Sequence, residues 1–270
     1  MTTPNSFTRR NFIRTAALAA GTVTILPFAG RAAFAGGHSA SDVLETPVGK
    51  ITVHPVSHAS FVLETPAGTI YSDPVGDAAA YANMPRPDLV TITHEHGDHF
   101  NVDTLNALVQ DGTEIVTNPA VFEKLPENLK SKARAVANGE STAFKSVKID
   151  AIPAHNLTEE RMKFHPPGRD NGYVMTFGEG DAGYRVYISG DTEDVPEMRA
   201  LENIDLAFVC MNLPFTMTAE TAADAVNAFK PKLVYPYHYR GRDGGTQDPD
   251  VFAAAVSGSQ VKMGQWYPES

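Results

Sequence analysis

The chain has 270 residues, 42% hydrophobic and 20% charged. This excludes a disordered polymer and supplies enough apolar material for a sizeable core. Asp and Glu outnumber Lys and Arg by 32 to 22, a formal charge of −10. Without the four arginines of the first 35 residues the balance is 18 basic to 32 acidic, or −14. So acidic a body excludes a non-specific nucleic-acid binder, because phosphate binding needs a basic face; it does not exclude a metal-mediated nuclease. The one cysteine, Cys210, rules out an intrachain disulfide framework and a cysteine-based zinc cluster. Nine histidines leave a His/Asp metal site open.

Residues 1–35 read as an address. Thr8-Arg9-Arg10-Asn11-Phe12-Ile13-Arg14 is a charged start, Thr15 to Phe28 a mild apolar run, and Ala33-Phe34-Ala35 a small-x-small cleavage site. The paired arginines followed by Phe-Ile-Arg resemble a twin-arginine export signal, which makes the export machinery a partner. That route carries folded cargo to the periplasm or the exterior. Gly21 and Pro27 interrupt the run, so it is a poor membrane anchor, and none is expected after cleavage.

In the rest of the chain, 36–270, strands are expected first at 50–56, 60–64 and 69–72, as a β-meander. A buried strand follows at 88–93, then helix 103–110, strand 114–117 and helix 119–124. Strands at 144–153, 172–177, 184–189 and 205–210 come next. The helix 219–229 follows, with Ala222, Ala223, Val226 and Phe229 as its core-facing stripe. Strand 231–237, helix 248–256 and strand 260–265 close the chain. Strands alone and then strands alternating with helices, twice over, predict an α/β fold of two sheets between helices in one domain. No internal repeat is visible. The longest loop is 156–171, a length that suits function.

The segment Thr93-His94-Glu95-His96-Gly97-Asp98-His99 carries the chemistry. Three imidazoles and a carboxylate follow an apolar strand, and they are the ligands a zinc-like ion takes in the absence of thiolate. His94 and His96 can point the same way from an extended turn. Gly97 permits an unusual turn that brings Asp98 and His99 back, as in a two-metal site. His155, Asp191 and His238 each follow an apolar strand and could complete it, or each could be a capping or surface residue. Asp73 before Pro74 reads as a strand-end turn.

These ordered motifs resemble the metallo-β-lactamase-fold hydrolases: His-x-His-x-Asp-His, a later His, a Gly-Asp pair and a final His after an apolar strand. His58-Ala59-Ser60-Phe61, Asp73-Pro74, Ser189-Gly190-Asp191-Thr192 and Thr216-Met217-Thr218-Ala219-Glu220 resemble a branch related to ascorbate-phosphate lactonases and N-acyl-phosphatidylethanolamine phospholipases. The resemblance covers nearly the whole of 36–270 and implies a four-layer αββα sandwich. It implies one divalent ion on His94, His96 and His155, a second on Asp98, His99 and His238, and Asp191 between them, with Asp73 behind the ligands to orient an imidazole. Zinc is the first candidate, with manganese or iron as alternatives.

On this reading a water shared by the two ions is acidified and attacks an ester, lactone or phosphoester of a small-molecule substrate. Asp98 is the candidate for proton handling and His165, in the long loop, for substrate contact. Tyr237, Tyr239 and Arg240 could bind an anion or pack on the sheet. His58 could line the site or sit satisfied in the core. His54 and His38 read as structural or exposed, and Cys210 as a buried, inert thiol. The alternatives are a β-lactam hydrolase, or a metal-binding or sensor protein of the same fold without turnover. The sequence does not define the oligomeric state.

Overall fold

The computed structural model describes residues 41–179 and 183–267. Residues 1–35, read above as an export signal, and His38 lie outside them. The described chain opens with an antiparallel meander of β1 (Asp42–Thr46), β2 (Gly49–Ser57), β3 (Ser60–Thr65) and β4 (Gly68–Ser72). Three parallel strands extend it: β5 (Leu89–Ile92), β6 (Glu114–Thr117) and β7 (Ala133–Ala135). Helices α1 (Val102–Leu108), α2 (Pro119–Lys124) and α3 (Glu127–Lys130) make the crossovers.

The same plan then recurs. β8 (Ser141–Phe144), β9 (Val147–Ala154), β10 (Asp170–Phe177) and β11 (Tyr184–Ile188) pair antiparallel. β12 (Leu206–Cys210), β13 (Leu233–Tyr237) and β14 (Gln260–Val261) add in parallel through α4 (Pro196–Arg199), α5 (Ala219–Phe229) and α6 (Pro249–Ala255). Two seven-stranded sheets result, ordered β1 to β7 and β14 to β8. Three antiparallel pairings followed by three parallel ones occur in each. The duplication is one of topology, which is why no repeat shows in the residues.

Alternation places the core. In β3, Phe61 and Leu63 face the main core while Val62 faces a second cluster with Leu105, Leu108 and Val121 under the first set of helices. Phe61 stacks on Phe208 of the other sheet at 4.2 Å between ring centroids, so the sheets pack face to face. On α5, Ala222, Ala223, Val226 and Phe229 are all buried, as the spacing predicts. Thr218 caps that helix by accepting from the Thr221 N–H. The architecture is therefore helix, sheet, sheet, helix.

Several expectations need correction. The stretch 144–153 is a hairpin, not one strand: Lys145, at φ 50°, turns β8 into β9 without a glycine or asparagine to signal it. The short edge strands β1 and β7 are mostly solvent-facing and have no continuous apolar run to announce them. The last strand has two residues rather than six.

Candidate metal centre

β4, β5, β9, β11 and β13 all deliver their C-terminal ends to one edge of the sandwich, where open sheets carry their sites. Beyond β5, the Thr93 carbonyl accepts from Asn118 Nδ2 at 2.7 Å and from the Asn171 N–H at 3.0 Å, which fixes where His94 emerges. The N–H groups of His99 and Phe100 then donate to the His96 carbonyl and close one turn. His94 Nε2 and His96 Nδ1 lie 3.1 Å apart. That is close to the separation of about 3.4 Å expected for two nitrogens about 2.1 Å from a shared tetrahedral ion. Gly97 is not left-handed, so the expected glycine turn is made with ordinary dihedrals. The left-handed non-glycine residues around the centre are instead His58, Asp73 and His238, at φ 53°, 43° and 47°. Such backbone cost concentrates at sites that need it.

Asp191 arrives beyond β11 through Gly190, at φ 61°, where a Cβ would stand 2.8 Å from the Asn171 carbonyl oxygen. Its carboxylate is divided. Oδ1 lies 3.4 Å from His99 Nε2 and 3.5 Å from His238 Nε2, and Oδ2 lies 3.5 Å from His165 Nε2. Asp98 Oδ2 is 3.4 Å from both His238 Nε2 and His58 Nε2. Three ligand groups result: His94, His96 and His165; His94, His99 and Asp191; His58, Asp98 and His238.

His99 Nε2, His165 Nε2, His238 Nε2 and Asp191 Oδ1 are buried without a hydrogen-bond partner. Leaving four such atoms unpaired in one place is costly unless a cation completes them. The donor set and its orphaned atoms therefore fit a divalent metal centre. Residues 50–238 match the family model of the Beta-lactamase superfamily domain. The chain belongs to this superfamily.

A "UPF0173 metal-dependent hydrolase" of Thermococcus onnurineus is 32% identical over 184 residues, covering 66% of this chain and 79% of that protein. A Parabacteroides distasonis protein classed with the metal-dependent hydrolases is 37% identical, with a TM-score of 0.74 over 84% of this chain and 99% of its own. A metallo hydrolase of Ignicoccus hospitalis, at 20% identity and TM-score 0.62 over 79% of this chain and 94% of its own, shares the fold. The chain is a metal-dependent hydrolase of the metallo-β-lactamase fold.

Within this superfamily member, six of the seven expected ligands converge: His94, His96, Asp98, His99, Asp191 and His238. His155 does not. Its Nδ1 meets the Asn156 carbonyl at 3.0 Å, and its main chain pairs with Thr192 and Glu193. The loop after β9 folds back so that the Asn156 N–H donates to the His165 carbonyl, and this lays His165 over His94 and His96. His165, expected at the substrate, takes the place expected for His155. Sequence order alone does not separate two histidines ten residues apart on one loop. His58, left open between core and site, stands beside Asp98 and His238. Its Nδ1 is 2.6 Å from the Tyr267 hydroxyl.

Carboxylates behind the imidazoles set their direction. Asp73 Oδ2 is 2.8 Å from His99 Nδ1, so Asp73 orients the His99 imidazole rather than only ending a strand. Asp170, which sequence reasoning missed, does the same for His165 Nδ1 at 3.0 Å, and Arg169 forks onto Asp170. The Asn212 amide lies 2.9 Å from His238 Nδ1. Burial, with His99 and His165 close by, pushes His94 well below the usual imidazole range, and burial lowers His96 as well. Both rings are thus neutral and free to ligate. Burial opposes charge on His99, but Asp191 and Asp73 outweigh it and hold its proton well above the usual range. Burial likewise opposes charge on Asp191 and Asp98, yet the surrounding imidazoles hold both carboxyls well below theirs.

The remaining expectations divide cleanly. Tyr237 is buried, and Tyr239 packs on Tyr267 at 4.7 Å, so both are structural. His54 pairs with Glu64 at 2.7 Å, away from the site. Cys210 is buried and pushed up to about 12, an inert thiol. Arg240 does reach the cleft, which has a volume of about 830 Å³ and runs from Asp98, Asp191 and His165 out to Phe215, Arg240 and Arg242.

Proposed function

We propose that the chain is a dinuclear hydrolase that cleaves an ester, lactone or phosphoester of a small molecule. The observation that carries this reading is the divided carboxylate of Asp191, with one oxygen toward His165 and the other toward His99 and His238. His94, His96 and His165 would hold one ion, Asp98, His99 and His238 the second, and Asp191 would serve both. Divalent ions held there supply an acidified water and polarise the substrate's carbonyl or phosphoryl oxygen. Zinc suits the donor set, and manganese or iron suit it as well.

The chain's own residues do the rest. Asp73 and Asp170 present the Nε2 lone pairs of His99 and His165 to the cleft. The Asp98 side chain is 46% exposed yet faces His58 and His238, so it can pass a proton between the cleft and solvent. The test is hydrolysis of p-nitrophenyl acetate, bis(p-nitrophenyl) phosphate, an acyl lactone and a β-lactam by the purified protein. Activity that chelation removes, that divalent metal restores and that Asp191→Asn abolishes is expected on the first three. Activity indifferent to chelation and to Asp191 contradicts the reading.

We propose also that residues 1–35 send the folded protein out of the cytoplasm, on the strength of Arg9-Arg10, the apolar run and Ala33-Phe34-Ala35. Replacing Arg9 and Arg10 by lysine should leave precursor in the cytoplasm. Unchanged export sinks this part of the reading.

A further inference from the structure

The cleft carries a second polar feature that the metal centre does not use. Eight arginines lie among the described residues. Six have a polar partner: Arg86 with the Ala107 carbonyl, Arg134 with Glu114, Arg161 with Glu193, Arg169 with Asp170, Arg185 with the Glu202 carbonyl and Arg199 with Asp194 and Asp224. Among the described residues, the guanidinium groups of Arg240 and Arg242 have none, although the chain has ten more acids than bases. Both line the mouth of the cleft. Each rests on an aromatic face instead: Arg240 lies 4.3 Å from the ring centroid of Tyr267, and Arg242 lies 5.8 Å from that of Phe215.

Their loop is built rather than loose. The Arg242 N–H donates to the Leu213 carbonyl at 3.1 Å, and the Leu213 N–H donates to the Gly245 carbonyl at 3.0 Å. A Cβ at Gly241 or Gly245 would fall on the Leu213 carbonyl oxygen, so glycine alone allows this approach. Asn156 ties the His165 loop to the same segment by donating to the Phe215 carbonyl at 2.7 Å. Phe164 and Phe215 meet edge to face at 5.0 Å and give the cleft an apolar face beside His165 and Arg242.

We propose that Arg240 and Arg242 form an anion subsite for the part of the substrate remote from the bond that is cut. The substrate class is then an amphiphilic acid derivative. Its scissile ester, lactone or phosphoester lies over the histidines, its apolar body lies on Phe164 and Phe215, and a carboxylate or phosphate meets the two guanidiniums. This rests on the hydrolase reading, which supplies the bond that is cut.

The test is calorimetric binding to the full metal-loaded protein, a readout separate from turnover. The probes are 4-phenylbutyrate, 3-phenylpropylphosphonate and the neutral 4-phenylbutyramide. At least one acid should bind about tenfold more tightly than the amide, the scale of one charge-assisted contact, and the tighter acid identifies the headgroup. Arg240→Gln and Arg242→Gln should each remove part of that preference, and the double variant all of it. Melting temperatures should stay close to wild type, because neither guanidinium loses a polar partner. Equal binding of acids and amide, or an acid preference that survives in the double variant, overturns the proposal. A protein that binds acids through these arginines but hydrolyses nothing would instead refute the hydrolase reading, so the two failures are distinguishable.

Discussion

Asp73 stands behind His99: its Oδ2 lies 2.8 Å from His99 Nδ1, and both side chains are fully buried. The same carboxylate accepts from the Thr93 N–H at 2.7 Å through Oδ1 and from the Thr93 hydroxyl at 2.6 Å through Oδ2. The strand that carries the histidine motif and the ring that must ligate are therefore positioned by one residue. With Nδ1–H given to Asp73, Nε2 is the atom turned toward Asp191, where a bound cation would take its lone pair.

Asp73→Asn tests that arrangement. Asparagine tolerates the left-handed backbone at φ 43° and its carbonyl can still accept from the Thr93 N–H. Its NH2 would then donate to His99 Nδ1, which forces the proton onto Nε2 and removes that lone pair. Metal affinity, measured by competition with a chromogenic chelator, should fall by about 10- to 100-fold, as for other groups that orient ligands. Unaltered affinity would show that His99 is not a ligand.

His155 and His165 should behave oppositely. His165→Ala removes an orphaned buried nitrogen at the centre and should lower metal content. His155→Ala should leave content unchanged, since its ring meets a main-chain carbonyl instead. Elemental analysis of both variants checks this, and the reverse pattern would restore His155 as the ligand.

The order and chemistry of the centre were legible in the residues. His94, His96, Asp98 and His99 lie in one short run, and a run has only one way to emerge from a strand end. Asp191 and His238 follow buried strands whose alignment the apolar pattern implies. His165 was not legible as a neighbour of His94 and His96, because its place depends on how a loop of some fifteen residues folds back, and loops have no periodicity. Asp170 was hidden for the same reason. The β8–β9 hairpin was missed because Lys145 makes its turn. The doubled topology was invisible because the two halves share connectivity rather than residues.

That loop is held by Glu193, and acid should release it. Burial opposes charge on Glu193, but bonds from Thr158, Leu157 and Arg161 outweigh it and hold its carboxyl below the usual 4.5. A carboxyl lowered on folding stabilises fully above its unfolded value. That contribution is lost as pH falls through the lower folded value, so the window lies below about pH 4.5. Glu193→Gln should melt lower than wild type at neutral pH and close that gap as pH drops below 4.5. Parallel curves of melting temperature against pH would argue against this anchor.

The contact between the sheets predicts a large packing effect. Phe61→Ala removes a fully buried ring stacked on Phe208 and should destabilise by about 3–5 kcal/mol, as for other core phenylalanines. Chemical denaturation reads this directly, and a loss below about 1 kcal/mol would mean that the sheets are not joined there.

The most direct test of the dinuclear centre is the metal content per chain of the protein and of Asp191→Ala, by elemental analysis. Two divalent ions per wild-type chain, falling in the variant, is the expected result, because Asp191 alone offers an oxygen to each group of imidazoles. No bound metal, or a content that does not change when Asp191 is lost, would contradict a shared two-ion site.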